Sequence, residues 1–227
     1  MDKKYSFEDF CGIIEQLRSE NGCPWDREQT HTSLKQCLLE EAYEVLEGID
    51  EYETDNDFDN LREELGDVLL QIVMHSVIAK EEGIFTMEDV IDEIAKKMIR
   101  RHPHVFGDIS VDSSEGVVRN WEEIKKLEKK SKQQQDSLES IPKAFPALLR
   151  AQKVAKKSNK MYGEEPSWTE SEWEKEISFL LANQEVENDK EETLGKVLFE
   201  LCRVAQKEHI DAEQCLSEYV KKFIKNK

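Results

Sequence analysis

The segment LGDVLLQIVMHSVIAK, beginning at Leu65, returns in the second half of the chain as LGKVLFELCRVAQK from Leu194, and MEDVIDEIAKKMI from Met87 returns in shortened register as AEQCLSEYVKKFI from Ala212. A chain that repeats one apolar pattern in this way is built from two copies of one supersecondary unit. Within each copy the apolar residues recur every three to four positions, the period of a helix. Nine glycines and five prolines in 227 residues leave too few turn formers for a sandwich or barrel. These observations predict an all-α fold made of two tandem copies of one helical-bundle unit.

Ser6 with Asp9 opens a helix carrying Phe7, Phe10, Ile13, Ile14 and Leu17, and Asn21-Gly22 is expected to end it in a left-handed stop. The run NGCPWDREQTH then reads as a loop, with a Trp and a Cys around a proline. A second helix is predicted from about Thr32 to Tyr52, with Leu34, Leu38, Ala42, Val45, Leu46 and Ile49 on its apolar side. A third spans Phe58 to Glu82 and stops at Gly83. A fourth, capped by Thr86 and Asp89, carries Val90, Ile91, Ile94 and Met98 and ends near RRHPH; a fifth covers Ser114 to Lys130. The polar run KKSKQQQDSLES lacks apolar periodicity and is read as a boundary. It divides a domain over 1–130 from a second copy over 141–227, with 131–140 as linker and further helices expected at about 143–161, 169–184, 190–207 and 212–225. Trp25 and Trp168 each precede the acidic helix of their copy.

A net charge of −18 argues against a nucleic-acid backbone or an anionic membrane as partner, since both reward clustered Lys and Arg. Five cysteines without a CxxC pair suggest no disulfide framework, and MDKKYSFEDF has no apolar signal core, so a cytoplasmic setting is expected. No apolar run approaches the length of a membrane span.

Two acidic pairs stand out against this background. LLEEAYE places Glu41 and Glu44 at i and i+3, and REELGD places Glu64 and Asp67 likewise, each pair at the edge of an apolar stripe. If the two helices pack as a hairpin, the four carboxylates converge. Two carboxylates about 5 Å apart repel by roughly 0.8 kcal/mol in water and about 3 kcal/mol at an effective dielectric near 20, so a half-buried cluster must bind protons or cations. All-oxygen donors without His or Cys suit Mg²⁺ or Mn²⁺. With 50 acidic residues in the chain, a solvated helix face is the alternative.

Downstream, KKMIRRHPH puts Lys97, Arg100 and Arg101 at i, i+3 and i+4. These cations either offset the helix dipole or bind the oxygens of a polyphosphate beside a metal site. His102 and His104, flanking Pro103, read as turn and packing residues. Trp121 is either core or a platform for a base, and the Gly-rich phosphate loops of nucleotide-binding folds are missing.

Taken in order, GCPWDREQTH, LLEEAYEVLEGI, LREELGDVLLQIV and RRHPHVFGD resemble the motifs of the MazG family of nucleoside triphosphate pyrophosphohydrolases. The resemblance implies an all-α, usually dimeric enzyme that uses Mg²⁺ to hydrolyse NTPs and dNTPs to the monophosphate and pyrophosphate, with nucleotide housecleaning as its role. The family's Glu-Glu-x-x-Glu and Glu-x-x-Asp fall on Glu40, Glu41, Glu44, Glu64 and Asp67. By this resemblance Glu41, Glu44, Glu64 and Asp67 hold the metals and Glu40 joins them or orients the attacking water. Lys97, Arg100 and Arg101 bind phosphates, and Trp121 meets the nucleoside end. The CPWD loop is similar to the family's approach to the acidic helix, where Trp25 is expected to pack the helix start. A non-catalytic sensor of NTP·Mg²⁺ is the alternative.

The second copy departs from this pattern. KEISF leaves Glu176 but puts Lys175 and Phe179 in acidic positions, while Thr193 and Lys196 stand where Glu64 and Asp67 stand in the first. The basic motif shrinks to Lys222 and Lys225 with Asn226. A lysine in a cation site repels the cation, so the active site is expected in the N-terminal copy alone.

Overall fold

The computed structural model describes residues 4–131, 137–163 and 190–227, and every regular element among them is helical. The chain divides into two compact units, Met1–Glu128 and Lys129–Lys227. The first holds α1 (Phe7–Arg18), α2 (Pro24–Glu28), α3 (Lys35–Asp55), α4 (Asp59–Glu81), α5 (Met87–Arg101), α6 (Pro103–Phe106) and most of α7 (Ser114–Ser131). The described part of the second holds a 3-10 turn (Leu138–Ser140), α8 (Ala147–Tyr162), α9 (Lys190–Lys207) and α10 (Ala212–Lys225). The helix expected at 169–184, together with Trp168, Lys175, Glu176 and Phe179, lies outside the described residues.

Local chemistry explains the helix starts. Ser6 and Asp9 form a reciprocal capping box, Ser6 Oγ accepting from Asp9 N at 3.1 Å and Asp9 Oδ2 from Ser6 N at 3.0 Å. Thr86 and Asp89 repeat the box at α5. α4 ends through Gly83, whose φ of 69° is the left-handed conformation a glycine adopts without strain.

Two expectations for the start of the chain are overturned. The C-cap of α1 is Ser19 in extended backbone, and Gly22 has no left-handed conformation. Gly22 is required for a different reason: a Cβ there would lie 2.2 Å from the Leu17 carbonyl oxygen. The supposed CPWD loop is itself a short helix, with Pro24 at the first position, where a missing N–H costs nothing.

The core of the first unit gathers Ile14 of α1, Leu34 and the second half of α4 (Val73, Met74, Val77, Ile78), flanked by Phe7, Phe10, Leu17, Leu70 and Met87. Each fully buried aliphatic side chain contributes about 1.5–3 kcal/mol. Arg18 clamps this end, donating to both carboxylate oxygens of Glu81 (2.7 and 3.0 Å) and to the carbonyls of Asp26 (2.5 Å) and Gln29 (3.1 Å). It is only 8% exposed, so these bonds are what make burying its charge tolerable.

The first half of α4 is different. It pairs with α3 in the most extensive helix contact of the unit, yet Leu39, Tyr43 and Leu46 of α3 and Leu65, Leu69 and Ile72 of α4 remain exposed. The second unit is centred on the α8–α9 pair, with Ile141, Ala155, Val197 and Cys202 buried.

Candidate active site

The α3–α4 pair is brought together at one small residue. Gly48 is buried in the middle of α3, and a Cβ there would meet Leu61 Cα at 2.9 Å and Leu61 N at 3.0 Å. Only glycine allows the two backbones to approach this closely. Stepping back from Gly48 along α3, Glu44 and Glu41 come one and two turns away; stepping forward from Leu61 along α4, so do Glu64 and Asp67. The contact at Gly48 therefore sets the register in which the two acidic pairs face each other.

One ligand oxygen each from Glu41, Glu64 and Asp67 lie within 4.8 Å of one another, and all three residues are partly buried. Glu44, more exposed than these three, is within hydrogen-bonding reach of both Glu41 and Glu64, so all four carboxylates gather, three of them in the tightest set. The electrostatics register the crowding. Loss of hydration raises the Glu41 carboxyl above its ordinary range, and the charges of Asp67 and Glu44 push it further. Glu64 is raised the same way, first by desolvation and then by the charge and hydrogen bonding of Glu44, followed by Asp67 and Glu41. A set of anions that resists its own charge favours a proton or a cation. Glu40, expected to join the metals or orient water, is exposed and its Oε1 accepts from Gln36 Nε2 at 2.8 Å, outside the set.

Arg100 and Arg101 are occupied by an unexpected partner. Glu128 on α7 accepts from Arg101 through both oxygens (Nη2–Oε2 2.6 Å, Nε–Oε1 3.3 Å) and from Arg100 Nε at 2.7 Å. Hydrogen bonding from Arg101, against the opposing effect of burial and with help from Arg100, holds the Glu128 carboxyl down at about 2. Lys97 is half-buried on the same helix. Trp121 of α7 stands edge-on to His102, ring centroids 4.9 Å apart, and the Arg101 guanidinium lies 5.3 Å from its ring centre. His102 Nδ1 lies 2.7 Å from the Met98 carbonyl oxygen and His104 packs beside it, both at the α5–α6 turn.

Trp25 does not pack the helix start as expected; it is 62% exposed, and its carbonyl accepts from Gln29 Nε2. The segment is instead anchored through its backbone, by Arg18 and by Cys23 N donating to the Leu17 carbonyl at 2.7 Å. The sequence reading missed a second pair, His31 and His75, whose Nδ1 atoms are 2.8 Å apart with rings stacked at 5.0 Å. Its only signal was that His75 falls two helical turns beyond Asp67. The sequence reading also missed Gly48 and Glu128. A glycine inside the helical run VLEGIDEY could have drawn attention to Gly48; Glu128 is one acid among many in its segment and carries no such mark.

A family model described as the MazG nucleotide pyrophosphohydrolase domain matches residues 29–106, which include both acidic pairs and the three cations but neither Trp121 nor Glu128. The nucleoside triphosphate pyrophosphohydrolase/pyrophosphatase MazG of Thermotoga maritima is 40% identical over 220 residues, covering 96% of this chain and 82% of that protein. An uncharacterized protein, YabN, of Bacillus subtilis is 52% identical over 152 residues, or 67% of this chain and 30% of that protein. The nucleoside triphosphate pyrophosphohydrolase of Escherichia coli K12 is 48% identical over 146 residues, or 64% of this chain and 54% of that protein. The matched stretch therefore spans about a third and about a half of those last two relatives.

Proposed function

This chain belongs to the MazG family of nucleotide pyrophosphohydrolases, and from that membership we propose that its N-terminal unit hydrolyses nucleoside triphosphates to the monophosphate and pyrophosphate in the presence of Mg²⁺. The observation that carries this reading is the set Glu41, Glu64 and Asp67, three partly buried carboxylates drawn within 4.8 Å although their charges repel. An all-oxygen donor set fits Mg²⁺, with Mn²⁺ as a substitute, and no histidine or cysteine belongs to it among the described residues. Glu41, Glu64 and Asp67 would hold the metal, and Glu44 at their edge would add a fourth carboxylate. When bound, Mg²⁺ makes a water more acidic and neutralises charge on the phosphates. Glu40 is left out of the proposed set because its carboxylate is turned to Gln36.

The chain's own cations do the rest. Glu64 and Asp67 lie about 21–26 Å back from the end of α4, and Lys97, Arg100 and Arg101 lie about 15–21 Å along α5, at 1.5 Å per residue. α5, which carries the three cations in its last turns, contacts α4, which carries Glu64 and Asp67. Lys97, Arg100 and Arg101 would hold the phosphate chain and steady the charge that moves to the departing pyrophosphate. Trp121, half-buried beside Arg101, would meet the nucleoside end.

The exposed stripe of Leu39, Tyr43, Leu46, Leu65, Leu69 and Ile72 is the face a second copy would cover, giving the homodimer that the family resemblance implies. Among the described residues no helix is long and apolar enough to cross a membrane. A cytoplasmic enzyme that clears surplus or non-standard nucleotides fits these features. The test is pyrophosphate release from each NTP and dNTP, with and without Mg²⁺. No release from any of them, despite Mg²⁺-dependent nucleotide binding, would leave a sensor and overturn the enzyme reading.

A further inference from the structure

We propose that Glu128 is a specificity-determining residue: its carboxylate occupies the Arg100–Arg101 pair as an internal stand-in for phosphate, so only a ligand with several phosphate charges displaces it efficiently. The inference rests on the assignment of these arginines to the phosphate chain.

The geometry is that of a recognised anion. Arg101 grips Glu128 side-on through Nε and Nη2, the fork with which a guanidinium receives two oxygens of a carboxylate or of a phosphate alike. Arg100 adds its Nε to the same Oε1, so one carboxylate engages two cations. Glu128 is 17% exposed at the side chain and Arg101 18%, while Arg100 remains 53% exposed, which leaves an incoming anion a way to the pair. Behind Arg101 stands the Trp121 ring, which keeps the guanidinium in place whichever anion it holds.

α7 is also mounted so that it can yield. No other described helix packs closely along it; its hold on α5 includes the Glu128 ion pairs and the edge contact of Trp121 with His102. Releasing Glu128 therefore does not require opening the core of Ile14, Val73 and Val77.

Charge decides which ligands succeed. Two guanidiniums paired with one carboxylate keep a net charge of +1. A triphosphate offers more negative charge than the carboxylate it replaces and can bridge Arg100, Arg101 and Lys97 together. A monophosphate offers little more than Glu128 already supplies, at the same two forks. A triphosphate can also engage Lys97 and the exposed side of Arg100 while Glu128 still holds Arg101, so it avoids part of the cost of displacing the carboxylate; a monophosphate bound at the two forks bears that cost in full and is weakened by the larger factor.

The test compares binding of inorganic tripolyphosphate and of orthophosphate, each with Mg²⁺, by calorimetry on the full chain. Glu128→Gln keeps the size and removes the charge. Since a charge-assisted contact is worth a factor of about ten to a hundred, the variant should bind tripolyphosphate about tenfold more tightly than wild type and gain more than that for orthophosphate. Glu128→Asp, which draws the charge back by one methylene, should fall between, and it serves if the Gln variant does not fold. Unchanged or weaker tripolyphosphate binding in a folded variant would overturn the proposal. So would an equal gain for both anions. Arg101→Ala separates the two levels: if it binds tripolyphosphate as wild type does, the phosphate assignment itself fails; if it binds more weakly while Glu128→Gln shows no gain, only the role of Glu128 fails.

Discussion

Gly48→Ala is the smallest change that asks whether the α3–α4 contact builds the site. The added methyl carbon would sit 2.9 Å from Leu61 Cα, 3.0 Å from Leu61 N and 3.3 Å from Leu61 Cβ. Carbon atoms in good contact stand about 3.5–4.0 Å apart, so α3 must move away from α4 by roughly 0.6–1 Å at this point. Two effects oppose each other in stability. Alanine is favoured over glycine in a helix interior by about 1 kcal/mol, whereas overpacking a close contact costs about 1–3 kcal/mol. The net expectation is a loss of up to about 2 kcal/mol. The larger consequence falls on Glu41 and Glu44, carried one to two turns from the wedge, because a displacement of about 1 Å at a reacting centre can cost on the order of a hundredfold in rate. Gly12→Ala in α1 is the control, since a Cβ there meets nothing within 4 Å and should stabilise by about 1 kcal/mol. Thermal unfolding with and without Mg²⁺, beside pyrophosphate release, reads both quantities. If Gly48→Ala melts at or above the wild-type temperature, keeps its response to Mg²⁺ and turns over normally, the register argument is wrong.

Other outcomes follow from the same geometry. Saturating Mg²⁺ at about a hundred times its Kd should stabilise the wild-type chain by about 2.7 kcal/mol, roughly 5–10 °C in melting temperature, and Glu41→Gln or Asp67→Asn should remove both this shift and hydrolysis while leaving helical content intact by circular dichroism. Burial, and then the neighbouring His31, depress the His75 imidazole. The unfolded chain therefore takes up that proton first, so this contribution to stability is full above pH about 6.5 and lost as pH falls through the lower folded value; the melting curve of His75→Asn, compared with wild type from pH 8 to 5, should lack that component. A chain ending near Lys130 should keep Mg²⁺-dependent pyrophosphate release, whereas the 137–227 fragment should show none; release by the latter would put the site in the wrong unit.

How much of this was legible depended on whether a feature is periodic or singular. The helices were readable because each apolar stripe and cap recurs in a pattern: Ser6 with Asp9 and Thr86 with Asp89 form the boxes their spacing implies, and Gly83 takes the stop. Glu41, Glu64 and Asp67 were readable because helical spacing put each pair on one face, and a hairpin then brings the faces together. What sequence spacing does not carry is the distance between helices. Gly48 matters because of Leu61, and Glu128 because of Arg101, across separations that no local pattern encodes. Asn21-Gly22 shows the converse error: the dipeptide that usually marks a left-handed stop is here a close approach to the Leu17 carbonyl, which the same small residue also permits.

The second unit shows that helix-end geometry and acidic site are written by different residues. α4 and α9 end in the same way: Gly83 N bonds to Lys80 O and Ile84 N to Ala79 O, while His209 N bonds to Gln206 O and Ile210 N to Ala205 O. His209 even adopts the left-handed φ of 60° without being a glycine, at a steric cost of about 1–2 kcal/mol that Gly83 avoids. Val73 and Cys202, which match in the sequence repeat, are both buried, 0% and 1% exposed, although α9 reaches its stop about one turn sooner. The repeat has kept what terminates and buries the helix. At the position of Asp67, however, stands Lys196, whose ammonium is 2.9 Å from Glu192 and holds that carboxyl below its ordinary range. Glu192 matches Glu63, and Thr193 stands at the position of Glu64, so α9 carries a counterpart of neither member of the acidic pair on α4. Burial and turn chemistry alone suffice to preserve a helix, whereas a cation site needs several carboxylates held together, and α9 lacks the pair that α4 contributes.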